Sequence, residues 1–529
     1  MKLRKLRKRL DESHGARPDV EYYDGDMDSI RTYFNYRRDN GLDEFLIDDT
    51  TWNDLSGDVI FKHINQGLST SGEQYLYYLL RSPAIDKEEY EKRAKLLEII
   101  EVYPELRLEL QVILTKLGRR RVARTCTVYR PPSHGLRRML FYILLLMAFL
   151  GSAISLFFSL YLLPLFVGLF VYLPIYHYNT VSRLYVDFAT VNYSIAMLHA
   201  AKKIRKLSHP ELDKILFPCY EANLRLKSIL RIGAIPAKDI LGDLSLLINS
   251  FLYLDLIVFE LLKNRLGKHH EDIFLIHEYL GRLDSAIAVA SYRKRLPVYA
   301  EPYIDFDSST VQFHGEGLVH PLLNNPVPNE LDTATSVLLT GSNASGKSTF
   351  LKTIALNAVF AQSICTVLGA LYKAPAFRIY TSMAIPDNLF AGESYFISEI
   401  KSLKRITDAD STGRPLLCVI DEVLRGTNTV ERIAASSELL EHLNTEKSLC
   451  LAATHDIELC ALLDGHYRLL HFEETVMWDG EVLFDYKIKD GPATTRNAIR
   501  LLGSMGFNKE LVKRANERAG RYDAEGKWS

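Results

Sequence analysis

At 529 residues the chain exceeds one ordinary domain of about 100–200 residues, so two or three units with their own cores are expected. Its 64 Lys and Arg balance 65 Asp and Glu, a formal charge of −1, so any attraction to nucleic acid must come from local patches. Six cysteines, at 126, 219, 365, 418, 450 and 460, form no CxxC pair; this argues against a disulfide framework or zinc site and fits a reducing cytosol.

Residues 1–42 are polar, and they open with six basic side chains in the first nine residues. No apolar stretch follows, so the start does not read as a secretory signal. It reads as a solvated, frayed end or as a polybasic contact to anionic lipid or nucleic acid. Residues 43–125 read as helical, because Tyr75, Leu76, Leu79 and Leu80, and then Leu96, Leu97, Ile99 and Ile100, fall at helical spacing.

The next segment, 126–180, contains a run from Met139 to Tyr176 with no ionisable side chain except tyrosine. One crossing of a ~30 Å hydrocarbon layer needs ~20 helical residues. The run is nearly twice that length, and Ser159 to Pro164 offers a turn. Two transmembrane spans, about 139–158 and 160–176, are expected; a buried soluble hairpin or a re-entrant segment is the alternative. Soluble helices normally carry a polar stripe, and none is present here. Arg119, Arg120, Arg121, Arg124, Arg130, Arg137 and Arg138 precede the run, and Arg183, Lys202 and Lys203 follow it. Positive flanks favour the cytoplasmic side, which places the remaining parts on the cytoplasmic face of an inner membrane, with residues 139–176 meeting lipid.

Residues 181–300 again read as long helices, broken near Pro210, Pro218 and Pro236. A second apolar stretch, Leu244 to Phe259, is interrupted by Asn249 and Asp255. Acidic groups at mid-span are costly, so it reads as a buried core helix and not as a third span. From 301 to 529, short β-rich runs alternate with helices, the pattern of a mainly parallel α/β sheet.

The chemistry is concentrated in that last part. Val337-Leu338-Leu339-Thr340 leads into Gly341-Ser342-Asn343-Ala344-Ser345-Gly346-Lys347-Ser348 and then a helical run from Thr349, a GxxxxGK[ST] loop between a strand and a helix. Glycines let backbone N–H groups turn in around phosphate oxygens, and the helix N-terminus favours anions. Lys347 would reach the β- and γ-phosphates of ATP and Ser348 would ligate Mg²⁺. A glycine-rich turn that matches by chance is the plain alternative. Leu416 to Ile420 is an apolar strand that ends in Asp421-Glu422. Asp421 is placed to hold Mg²⁺ through water, and Glu422 to orient or deprotonate an attacking water. Adjacent acids also close strands for solubility alone. Leu449 to Ala453 is another buried-strand run, ending in Thr454-His455-Asp456, where His455 can sense the γ-phosphate or be a satisfied structural residue.

These motifs and their spacing resemble the MutS family of mismatch-repair ATPases. Leu339 to Lys352 is similar to the family's TGPNMGGKSTYLR stretch, departing at Ser342, Ala344 and Ser345. Asp421 to Thr429 resembles DEIGRGTST with Leu424 in place of the first glycine, and Ala453 to Asp456 resembles the ATH switch. Asp387 to Phe396 resembles DDLASGRSTF. The resemblance implies that Ser394 reaches the partner subunit's nucleotide, and hence a homodimer through the ATPase domain with two composite sites. Lys489 to Pro492 and Asn508 to Val512 resemble the closing helices of that dimer. Upstream, Leu68 to Leu76 with Arg81-Ser82-Pro83, and Arg282 to Ala288, resemble parts of the family's core domain.

The expected fold is therefore an ABC-type, MutS-like α/β P-loop domain preceded by an all-α core or lever region that a transmembrane hairpin interrupts. About 42 residues precede the core, too few for the family's mismatch-reading and connector domains; no clamp is recognised, no nuclease-like domain is appended, and the hairpin is foreign to the repair proteins. Two outputs remain open. One is a membrane-anchored, DNA-binding ATPase of repair or recombination that contacts double-stranded DNA, with Lys202, Lys203, Arg205 and Lys206 as a basic cluster. The other is a mechanical ATPase whose partner is not DNA. A scaffold with a dead nucleotide site is disfavoured by Lys347, Asp421, Glu422 and His455.

Overall fold

The structure, a computed structural model, describes residues 2–125, 135–233, 250–308, 310–342, 345–383, 395–410, 413–476, 482–493, 499, 502–503 and 506–525. It divides into two compact units. One comprises Met1–Glu44, Ile64–Leu79 and Lys92–Arg295; the other comprises Phe45–His63, Leu80–Glu91 and Leu296–Ser529.

The first unit is helical. Its basic start is not frayed but forms a helix over Lys2–Ser13. That helix lies antiparallel to helix Pro104–Leu117: Leu10 is buried, Arg7 pairs with Glu109, and Asp11 meets Arg107 at 3.5 Å. The centre of the unit is aromatic, with Tyr33 stacked on Phe274 at 5.3 Å and edge-on to Tyr78 at 5.1 Å. Helix Thr70–Leu80 is started by a residue far along the chain. The carboxylate of Asp284 accepts from the N–H groups of Leu68 and Ser69 at 2.8–3.0 Å and from the Ser69 hydroxyl at 2.6 Å. The approach is so close that a Cβ on Gly72 would sit 2.0 Å from an Asp284 oxygen. Glycine is required there by space, not by backbone angle.

Within this unit two helices, Gly135–Ser155 and Leu163–Arg183, are joined by a 3₁₀ turn at Leu160–Leu162. The turn falls inside the expected Ser159-to-Pro164 stretch. Both helices are long and apolar enough to cross a membrane, by length and composition, and only 11% of each apolar window is covered by the rest of the chain.

The second unit is α/β. A six-stranded sheet runs in the order β10-β9-β4-β8-β7-β6, with β4 Val337–Thr340, β6 Arg378–Ser382, β7 Leu416–Asp421, β8 Ser448–Ala453, β9 Arg468–Val476 and β10 Val482–Asp490. All neighbours are parallel except β10, which pairs antiparallel with β9. Strands covered on both faces need unbroken apolar runs, and Leu416–Ile420 and Leu449–Ala453 are buried throughout. A smaller sheet, β1-β5-β2-β3, is built from Tyr303–Asp305, Leu371–Pro375, Phe313–Leu318 and Asn329–Thr333.

Residues 45–63 and 80–91 pack with this unit although they lie far upstream. Asp54 accepts from the Thr381 hydroxyl at 2.6 Å and the Met383 N–H at 3.1 Å, and Arg405 pairs with Asp48. The Gln362 amide is exchanged with the backbone of Ala84 and Phe377.

Candidate functional site

In a parallel sheet every strand ends on the same edge, so loops that follow neighbouring strands converge there. β4, β7 and β8 are such neighbours. Leu339 faces Ala453 in register and Asp421 faces the same Ala453 from the other side. Two backbone bonds tie the loops beyond: the Thr454 N–H donates to the Leu339 carbonyl and the Glu422 N–H donates to the Ala453 carbonyl, both at 2.9 Å. The glycine-rich loop, the paired acids and the histidine are thereby brought to one edge.

A cavity of about 500 Å³ opens beside them. Ser342, Gly346, Lys347, Ser348, Thr349 and Glu422 line it. Ser348 and Thr349 are exposed at the start of helix Lys347–Ile364. Asp421 and His455 do not line the cavity but stand behind it, through the contacts of Lys347 and Glu422. Asn343, Ala344 and Ser394, with most of the 387–396 signature, lie outside the described residues.

The glycines of the loop are demanded by the backbone. Gly341 has φ 137° and a Cβ there would sit 2.7 Å from the Phe472 carbonyl oxygen; Gly346 has φ 111°. Lys347 is 4% exposed, and its ammonium donates to the carbonyls of Gly341 and Ser342, each at 2.8 Å. Burial pushes it down to about 8, against the opposing pull of Asp421 and Glu474. The Ser345 hydroxyl is buried with no hydrogen-bond partner among the described residues. A desolvated ammonium folded on its own loop, an orphaned hydroxyl and a helix N-terminus suit a polyphosphate.

Glu422 sits in the left-handed region, φ 60°, an uncommon conformation for a residue with a side chain. Its carboxylate is held by His455 Nε2 at 3.0 Å and by the Arg425 guanidinium. His455 Nε2 is also 3.4 Å from Lys347 Nζ. Burial, with the nearby cations of Lys347 and Arg425, pushes the imidazole below its usual range, so it is neutral at neutral pH and its Nε2 proton goes to the shorter contact with Glu422. Leu424, which stands where the resembled motif has glycine, keeps the left-handed turn at φ 57°. Its side chain is buried in the apolar cluster of β7, β8 and helix Thr429–Leu443.

The far wall of the cavity was not singled out by sequence reasoning. It is formed by Leu318, His320, Pro326, Val327, Asn329, Phe472 and Tyr486, from the β2–β3 connection and the β9–β10 hairpin. Asn329 clips the two together, donating to the Tyr486 carbonyl at 2.9 Å and accepting from the Ile488 N–H at 3.0 Å. Burial pushes His320 down to about 4, so it is a neutral, flat wall group. The run Pro326-Val327-Pro328-Asn329 just ahead of the P-loop strand was the available signal, since two prolines there fix a loop that cannot join the sheet. For a divalent ion, the described residues hold no cluster of three or more His, Cys, Asp or Glu. Magnesium at phosphates is bound through only one or two protein oxygens with water and phosphate as the remainder, and the Ser348 hydroxyl and Asp421 carboxylate fit that donor set.

Residues 337–522 match the family model for MutS domain V. Curated proteins named DNA mismatch repair protein MutS are similar over part of the chain. That of Pseudothermotoga lettingae is 30% identical over 252 residues, 46% of this chain and 31% of the relative. That of Thermus thermophilus is 34% identical over 201 residues, 37% of this chain and 24% of the relative. That of Fervidobacterium nodosum is 29% identical over 267 residues, 49% of this chain and 32% of the relative. The chain spans about a third or less of the length of these curated relatives. Glycine loop, paired acids and His455 all fall within the matched stretch, and it is over that stretch that the chain is similar to the MutS family.

Proposed function

We propose that this chain is a Mg²⁺-dependent ATPase that works as a homodimer, tied to a membrane by residues 139–176, and that it acts on double-stranded DNA in repair or recombination. The observation that carries the reading is one cavity lined by Lys347, Ser348 and Glu422, beyond the ends of β4 and β7, the two parallel strands that flank β8. In this reading Lys347 exchanges the Gly341 and Ser342 carbonyls for β- and γ-phosphate oxygens, and the loop N–H groups complete the cradle. Ser348 and Asp421 would hold magnesium, which supplies neutralisation of phosphate charge when bound. Glu422 must leave the Arg425 guanidinium to take the proton of an attacking water, with neutral His455 keeping its carboxylate aimed. Ser394 of the opposite subunit closes the site, as the family resemblance implies, so turnover would open and close the dimer.

The membrane part of the reading rests on two adjacent apolar helices with little of their surface covered and with arginines at the near ends. That same feature favours a second reading: an anchored mechanical ATPase whose load is a protein and not DNA. The test is ATP turnover of the full chain with and without duplex DNA at two salt concentrations. Stimulation that weakens at higher salt is expected for DNA, because phosphate contacts release counterions. No response at either salt would overturn the DNA reading and leave the mechanical one. Cell fractionation of the intact chain and of a variant lacking 139–176 checks the anchor; full-length protein in the soluble fraction overturns it.

A further inference from the structure

The helices Gly135–Ser155 and Leu163–Arg183 do not stand by themselves. Residues 250–260 pack along them. Phe251 stacks on Phe149 at 5.2 Å and on Phe170 at 4.9 Å. Tyr253 stacks on Tyr142 at 5.9 Å, and its hydroxyl donates to the Leu173 carbonyl at 2.8 Å. These contacts measure depth, because the last ionisable side chains other than tyrosine before the apolar layer are Arg138 on one helix and His177 on the other. At 1.5 Å of rise per residue, Tyr142 and Leu173 lie ~6 Å beyond that border, Phe170 ~10 Å and Phe149 ~16 Å. The chain at Phe251 therefore sits about halfway into a ~30 Å hydrocarbon layer.

We infer that residues 250–260 form a third membrane-embedded limb, clamped to the hairpin at its charged rim; this rests on the membrane-anchor reading above. Helix Leu254–Lys268 begins at Tyr253, which is in the left-handed conformation at φ 54°. Non-helical backbone at membrane depth is tolerated only where protein covers it, and Tyr253 is fully buried between the two helices. The carboxylates of the limb sit at the border and face inward to partners, as acids at membrane depth must. Asp255 meets His177 Nε2 at 2.9 Å, and Glu260, 1% exposed, lies 3.6 Å from Arg138. By contrast Leu254 is 47% exposed on the outer side. On this inference it belongs where lipid chains are, in place of the buried core helix expected from the sequence. From Lys268 the chain continues into helix His270–Arg295 and then enters the α/β unit at Leu296.

Tryptophan quenching by brominated lipid tests the limb and the anchor separately. Leu254→Trp and, on the hairpin, Leu144→Trp (67% exposed) are placed in full-length protein in vesicles of phosphatidylcholine with plain or dibrominated chains. Emission in excess of the parent protein is compared, with ATP turnover as the check on folding. Both probes losing emission in brominated lipid is the expected result, Leu144→Trp the more, since it lies ~9 Å beyond Arg138 and Leu254 nearer the border. Leu144→Trp quenched with Leu254→Trp unaffected overturns the limb and leaves the anchor standing. Neither quenched overturns the anchor and the limb together. Phe251→Trp, an aromatic replaced by an aromatic, repeats the measurement where the outward site fails to express.

Discussion

Both units bury charge, and they do so in opposite ways. In the helical unit Glu73 and Asp284 are fully buried, and their oxygens are taken up by protein donors. Glu73 meets Asn65 at 3.0 Å and Arg121 at 2.8 Å, while Asp284 takes two backbone N–H groups and a hydroxyl. In the α/β unit Lys347, Glu422 and His455 hold one another or their own loop, beside an open cavity, on backbone in the left-handed region at Glu422 and Leu424. A charge whose partners are all fixed by the fold builds structure. A charge whose present partners can be exchanged for a ligand's atoms is available for chemistry, and strain at its backbone marks the same places.

Four changes test that contrast. Glu422→Gln has the largest expected effect: loss of turnover by about 10²–10⁴-fold with ATP binding retained, read by steady-state hydrolysis and equilibrium binding. Unchanged turnover would remove Glu422 from the chemistry. Asp284→Ala should do the reverse. It strands the Leu68 and Ser69 N–H groups and the Ser69 hydroxyl in the interior, costing about 3 kcal/mol or more in denaturant unfolding while the KM for ATP stays put. A shifted KM with unchanged stability would dissolve the comparison.

Third, Lys347 is pushed down to about 8 by burial, so it is charged below that pH and neutral above it. ATP affinity should hold below pH 8 and weaken by about tenfold per unit above it, with the flat alkaline profile of an unperturbed lysine as the contrary result. Smallest is Leu424→Gly. Glycine relieves the left-handed backbone by about 1 kcal/mol, but a buried leucine is lost at about 2–5 kcal/mol, so a net destabilisation of about 1–4 kcal/mol is expected by thermal unfolding. A stabilised variant would place strain above packing at this turn.

Much of the site was legible because its chemistry imposes local rules. A loop around phosphates needs Gly341, Gly346 and Lys347 at set spacing, and a buried parallel strand needs an unbroken apolar run ahead of Asp421. The same holds for the hairpin, whose length and lack of polar stripe are properties of consecutive residues. The far wall was less legible. His320, Asn329 and Tyr486 come from three separate stretches that meet through sheet pairing, and no spacing relates them.

What the sequence determined by itself was therefore the glycine-rich loop, the strand-end acids, the alternation of strands and helices after 301, and the apolar run from 139 to 176. Tertiary structure alone decided three things. It drew 45–63 and 80–91 into the α/β unit, through partners such as Asp54 with Thr381 and Gln362 with Ala84 that lie hundreds of residues apart. It kept a left-handed turn at Leu424 by burying the side chain that disfavours it. And it laid Phe251 and Tyr253 along the hairpin, with Asp255 and Glu260 turned to His177 and Arg138. Read along the chain, Asp255 interrupts an apolar run and Glu260 follows it; in space both have a basic side chain beside them. Local rules act over one helix turn or one strand, whereas the partner that makes a buried charge tolerable is supplied by the fold.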